Sequence, residues 1–175
     1  MYAAYGGRVK VIDWLLQYGN LDKQAKDKSG CDVLMTMAAA GRYDMVVKFR
    51  EEKLSVDATT PEGDTALLLA ARYGRKKVVQ FLVENSLGKL YLEMYPDSEI
   101  KRRYKIANAP PTQERPPKPL LEVTSIDPAC GSGNFLLYAF DFFYELYIDQ
   151  IDHYGAKYDK KEIPKLIIVI SPHHV

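Results

Sequence analysis

The stretch Thr60-Pro61-Glu62-Gly63-Asp64-Thr65-Ala66-Leu67-Leu68-Leu69-Ala70-Ala71-Arg72-Tyr73-Gly74 decides the reading of the first half of the chain. Pro61 and Gly63 suit a tight turn, Pro through its fixed φ and Gly through its tolerance of positive φ. Thr65 is placed to cap the helix that follows. Ala70 and Ala71 are small enough to let neighbouring helices approach closely. Gly74 suits a left-handed helix end. Val78, Val79, Phe81 and Leu82 then supply the apolar stripe of a second helix.

The unit recurs. Gly30 and Gly63 are 33 residues apart, as are Gly41 and Gly74, Ala38 and Ala71, and Val46 and Val79. Ala4, Gly7, Ile12 and Leu15 repeat the pattern upstream with one extra residue. Leu15, Phe49 and Leu82 fall at equivalent places. A period of this length is the signature of stacked helical repeats. Residues 3–87 resemble the ankyrin repeat, as a partial first unit, a degenerate unit (27–59) and a well-formed unit (60–87). The middle unit carries Cys31-Asp32-Val33 where the family favours a Thr-Pro-Leu-like start. No polar capping repeat precedes Trp14 and the first unit, which are expected to be the end of a longer array. The resemblance implies a protein partner, met by the turn tips near Lys28-Ser29 and from Glu62 to Asp64, and by the inner helices.

After Leu87 the period fails. Eight of the thirteen tyrosines lie beyond it, so the composition changes with the pattern. Residues 88–97 predict a short helix stopped at Pro96. Residues 110–119 hold five of the ten prolines and predict an extended connector. Leu121-Glu122-Val123-Thr124-Ser125-Ile126 has strand composition. It leads into Asp127-Pro128-Ala129-Cys130-Gly131-Ser132-Gly133-Asn134-Phe135, and a helical pattern follows from Leu136 to about His153. A strand, a Gly-rich turn and a helix open a nucleotide-binding α/β unit. Glycines let the backbone pass close to a ligand, and the helix N-terminus presents free N–H groups. An acidic residue at the strand end accepts hydrogen bonds from a bound ligand.

This nonapeptide resembles motif I, the S-adenosylmethionine-binding turn of N6-adenine DNA methyltransferases. Residues 78–170 look most like the large adenine-specific DNA methylases of BREX phage-defence systems. That match rests on residues 81–88, 93–98 and 127–147. The resemblance implies that Asp127, Ala129, Gly131 and Gly133 line the methionine part of the cofactor, within a turn completed by Pro128, Cys130 and Ser132. It implies that Asn134 and Phe135 open the next helix against the cofactor. Cys130 is read as a small packing residue and not a nucleophile. DNA is implied as a substrate by the family alone. The Asn/Asp-Pro-Pro-Tyr motif, which holds the target amino group of a flipped base, is absent. Pro110-Pro111 is followed by Thr112, and Pro116-Pro117 by Lys118. A second strand is expected at Lys165–Ile170, followed by Ser171 and Pro172. His173 and His174 predict no metal site. Two strands alone leave unpaired edges and do not complete a methyltransferase sheet.

The expected fold is therefore mixed: α-helical ankyrin-like repeats, then a truncated Rossmann-like α/β methyltransferase fragment. The expected domains are 1–87, a helix and Pro-rich connector over 88–120, and a partial cofactor-binding unit over 121–175. With 47% hydrophobic and 27% charged residues, the chain of 175 is not a disordered one. No apolar run approaches the ~18 residues of a membrane span, so no membrane partner is expected. The N-terminal residues show no signal-peptide pattern. Cys31 and Cys130, 99 residues apart, form neither a disulfide framework nor a metal spacing, and a cytoplasmic setting is the default. Residues 1–87 carry 13 basic and 11 acidic side chains, and residues 88–175 carry 11 and 12, so charge does not argue for nucleic-acid binding.

Three readings of function follow. The first is an S-adenosylmethionine-dependent methyltransferase fragment, fused to repeats and inactive alone. The second is an ankyrin protein-binding module with a non-functional tail. The third is a chain with no evolved function, to which unpaired strands and an exposed aromatic helix over 136–147 would point.

Overall fold

Two turns, 33 residues apart in sequence, make the same hydrogen bonds. Gly30 N–H donates to Asp27 O and Gly63 N–H to Thr60 O, both at 3.0 Å. Asp27 N–H donates to Cys31 O at 2.9 Å and Thr60 N–H to Asp64 O at 3.0 Å. Gly30 and Gly63 have φ of 73° and 88°, which only glycine adopts without strain. Each turn delivers a cap: Asp32 accepts from Met35 N–H at 2.8 Å, and Thr65 from Leu68 N–H at 3.2 Å. The degenerate Cys31-Asp32-Val33 start thus performs the same capping as its well-formed counterpart.

This is a computed structural model, and it describes all residues except 1, 2, 4, 5, 20, 21, 23, 24, 52, 53, 108–113, 124, 127–132, 168 and 171–175. The chain divides into two units, Met1–Leu82 and Val83–Val175.

In the first unit the helices are α1 (Val9–Tyr18), α2 (Val33–Ala40), α3 (Tyr43–Glu51), α4 (Ala66–Arg72) and α5 (Lys76–Val83). Inner helices α2 and α4 pack on each other, and α2 packs back on α3. Ala38 and Ala70 are fully buried and Ala71 half-buried, so of the small pair at 70–71 only Ala70 sits wholly inside. Val78, Val79, Phe81 and Leu82 are all buried, as the apolar stripe predicts. The end of each inner helix is also repeated. Arg42 N–H donates to Met37 O at 2.9 Å, and Arg75 N–H to Ala70 O at 2.8 Å. Arg8 N–H to Ala3 O, at 3.0 Å, is the same bond one unit upstream, shifted by the extra residue read from the sequence.

The second unit starts with a π-helical turn, Glu84–Gly88, followed by α6 (Lys89–Met94) and α7 (Ile100–Arg103). A 3₁₀ turn (Leu120–Glu122), β1 (Ser125–Ile126), α8 (Asn134–Tyr154), α9 (Ile163–Leu166) and β2 (Val169–Ile170) complete it. Asn85 holds the π turn in place: its amide donates to Lys105 O at 2.9 Å and accepts from Ala107 N–H at 2.7 Å. A Cβ on Gly88 would come within 2.9 Å of the Phe142 ring, so glycine lets this turn press against α8.

The expected Rossmann-like α/β unit is not built among the described residues. β1 and β2 are parallel but pair only Ser125 with Val169 and Ile126 with Ile170. Both expected strands lose residues to helical turns. Leu120–Glu122 follows Pro119, whose φ of −56° starts a 3₁₀ turn. Pro164 stands in the first turn of α9, where its fixed φ suits a helix, and draws Lys165 and Leu166 into it. The expected helix from Leu136 to about His153 is present as the 21 residues of α8. It is not an exposed aromatic helix. Phe135, Ala139, Phe142, Phe143, Leu146 and Tyr147 are buried, and among its large apolar side chains Leu137 is well exposed, at 67%.

Candidate functional site

Asp127, Pro128, Ala129, Cys130, Gly131 and Ser132 lie outside the described residues. Their flanks do not. β1 ends at Ile126, and Gly133 stands in the left-handed region (φ 69°, ψ 7°) at the head of α8. Leu137 N–H donates to Gly133 O at 2.9 Å, the first bond of that helix. Among the described residues no side chain caps the N-terminus of α8. Asn134 and Phe135 are its first two residues, and Phe135 is buried. The long helix after Gly133 is thus as the sequence predicts.

The far end of α8 carries a polar cluster that periodicity did not single out. Asp149 is fully buried. Its Oδ2 accepts from the Tyr91 hydroxyl at 2.9 Å and the Ser98 hydroxyl at 2.7 Å. Ser98 in turn accepts from Ile100 N–H at 3.1 Å. Arg103 lies 3.6 Å from Asp149 Oδ1, and His153 lies 3.9 Å from it. Burial first, then the Asp149 carboxylate, pushes the Tyr91 phenol far above its ordinary range. The cluster joins α6, the turn before α7, and α8 through one carboxylate. Its sequence signal is a charged residue between Leu146, Tyr147 and Gln150 on a buried helix face. A lone Asp in a helix reads as surface unless its face is known.

Two further contacts fix this unit. The Tyr138 hydroxyl donates to Glu84 Oε1 at 2.6 Å, tying α8 to the π turn. Burial, opposed by that hydrogen bond, holds the Glu84 carboxyl above its ordinary value. Arg115 pairs with Glu93 at 2.5 Å and donates its N–H to Glu93 O at 2.7 Å, which pins the Pro-rich connector to α6.

On the repeats, Lys28, Ser29 and Glu62 are exposed at the turn tips. Asp64 is not an open contact residue, because Arg72 grips it through two hydrogen bonds of 2.7 Å. Arg75 was missed by sequence reasoning. It donates Nε–H to Ala39 O at 2.9 Å, and its side chain covers Gly41 of the preceding unit. Arg42 covers Gly7 in the same way. The signal was there, as Gly-Arg at both 41–42 and 74–75.

Among the described residues no group of three or more His, Cys, Asp or Glu side chains is placed to hold a metal ion. None of the described helices is long and apolar enough to cross a membrane.

A stack of capped helix pairs on glycine turns defines a helical-repeat protein. The family model for ankyrin repeats, in three copies, matches residues 1–91, and the chain belongs to that family. A putative ankyrin repeat protein of Rickettsia bellii (strain RML369-C) is 34% identical over 89 residues, covering 50% of this chain and 48% of that protein. The adenine-specific methyltransferase BrxX of Escherichia coli O9:H4 (strain HS) is 31% identical over an alignment of 104 residues that covers 52% of this chain. The adenine-specific methyltransferase PglX of Lacticaseibacillus casei (strain Zhang) is 28% identical over an alignment of 159 residues that covers 81% of this chain. The chain spans only 8% and 11% of the lengths of those two enzymes. Residues 78–175 are little more than half of the chain, so the 81% match runs further into the repeats than the sequence reading placed it. Among solved structures, the Bd0816 predatory endopeptidase from Bdellovibrio bacteriovorus in complex with immunity protein Bd3460 is similar over 47% of this chain and 43% of that one. The identity there is 28% and the TM-score 0.45.

Proposed function

We propose that the chain joins an ankyrin protein-recognition module to the leading part of an adenine-specific DNA methyltransferase. In this reading the second part binds S-adenosylmethionine, and these 175 residues do not transfer its methyl group. One observation carries the reading: left-handed Gly133 heads α8, and β1 ends at Ile126 before it. A left-handed glycine before a helix suits a ligand held at the helix N-terminus. Asp127 would accept hydrogen bonds from the cofactor. Ala129, Gly131 and Gly133 would leave room for its methionine part, and Asn134 and Phe135 would begin the supporting helix. Pro128, Cys130 and Ser132 would complete the turn. When bound, the cofactor supplies an electrophilic methyl group. No Asn/Asp-Pro-Pro-Tyr sequence stands here to present adenine to it. DNA enters as a substrate class through the relatives alone, and the setting would be cytoplasmic.

Calorimetric titration of S-adenosylmethionine into the whole chain tests this. Binding is expected, and Gly131→Val is expected to abolish it by filling the space a backbone-close ligand needs. Methylation of adenine-containing DNA by the purified chain, lost in Asp127→Ala, would overturn the expected inactivity. The repeated turn geometry favours a second reading, a protein-binding module with a non-functional tail. Absence of cofactor binding in a folded chain would decide for it.

A further inference from the structure

Tyr104, Tyr138, Asp141, Phe142, Tyr144 and Glu145 line a cavity of about 260 Å³ that is open to solvent. Positions 138, 141, 142 and 145 share one face of α8 by helical spacing. Tyr104 and Phe142 meet edge to face, with ring centroids 4.8 Å apart and planes at 87°. Tyr138 lies nearly parallel to Phe142 at 6.3 Å and 17°. Tyr104 thus stands at a right angle to Phe142 and Tyr138 lies parallel to it, and the bond from Tyr138 to Glu84 holds one of these rings. Two carboxylates belong to the same lining. Arg103, which is not part of the lining, pairs with Glu145 at 2.9 Å. The Tyr104 phenol is raised first by burial and then by Glu145. Arg103 opposes that rise, while Glu84 and Asp141 add to it.

We propose that this cavity binds a small organic cation of the quaternary-ammonium class, held by aromatic ring surfaces and by Asp141 and Glu145. Ring quadrupoles attract a weakly hydrated cation, and a negative lining rejects anions. The size fits, since the volume is just below that of sites for larger ligands, which begin at about 300 Å³. The lining contains no Lys or Arg to compete from within. The proposal does not depend on the cofactor turn.

Choline is the probe, titrated into the whole chain beside its uncharged isostere, in which carbon replaces the nitrogen. Choline is expected to bind and the isostere to bind at least about tenfold more weakly. Tyr144→Leu and Asp141→Asn, the latter at an exposed position, are each expected to weaken choline by about three- to thirtyfold. Gly131→Val is expected to leave choline binding unchanged, which separates this site from the cofactor turn. Equal binding of choline and its isostere would overturn the proposal. So would no choline binding, or unchanged affinity in both variants with native circular dichroism.

Discussion

The carboxyl of Glu84 is the residue whose chemistry depends most plainly on its surroundings. It is half-buried, and burial raises its pKa above the ordinary 4.5 even though the Tyr138 hydroxyl donates to it. The folded state thus holds this proton more tightly than the unfolded chain does. Between 4.5 and the raised value the native state binds more protons, so Glu84 makes stability fall as pH rises. Its contribution is complete below 4.5 and lost above the raised value. Glu84→Gln keeps an acceptor for Tyr138 and removes the titration. Urea midpoints across that range should therefore show a less negative pH slope in Glu84→Gln than in the parent. Identical slopes would mean that burial does not perturb this carboxyl. Nothing in the stretch Glu84-Asn85-Ser86 announces this. It follows from burial in the folded chain, which outweighs the opposing hydrogen bond from Tyr138, 54 residues away.

At the scale of elements, the repeat turn is the unit that the sequence made legible. Thr65 caps α4 as its position predicts. The paired glycines Gly30 and Gly63 both take positive φ. They differ in what lies over them. A Cβ on Gly30 would run into Pro61 Cδ of the next unit, whereas a Cβ on Gly63 would meet nothing within 4 Å. Gly63→Ala should cost about 1–2 kcal/mol, the strain of a left-handed backbone alone. Gly30→Ala should cost about 1–3 kcal/mol more, because Pro61 must also move. Denaturant unfolding of the two variants reads the difference, and equal losses would show that the turns do not interlock. The strands were less legible. Period and composition predicted Leu121–Ile126 and Lys165–Ile170. Pro119 and Pro164 start helical turns inside or beside those stretches, and among the described residues two remain in each strand.

At the scale of the molecule, each of the two units has its own buried residues. Phe49, Phe81 and Leu82 belong to the first, and Tyr91, Phe142 and Tyr147 to the second. A chain ending at residue 87 retains the capped turns and the stacked inner helices. It is expected to give a helical circular dichroism spectrum and a cooperative thermal melt, since small domains with one core unfold in a single transition. A featureless melt would show that the repeats need the second unit to fold. A cooperative melt would make the repeats testable as a binding module by themselves.

The sequence by itself determined the repeat. A period of 33 residues, glycine at turn and helix end, and a polar cap are local requirements of backbone geometry, and local requirements are written in neighbouring residues. It also determined the long helix that follows residue 133, for the same reason. Tertiary structure alone decided which charges are inside. Asp149 is buried because Tyr91 and Ser98 come from other elements to satisfy it. Glu84 is raised because the folded chain buries it, and an aromatic cavity forms because Tyr104 reaches Phe142 across the fold. Burial and pairing across long stretches of chain are properties of packing, and no single segment carries them.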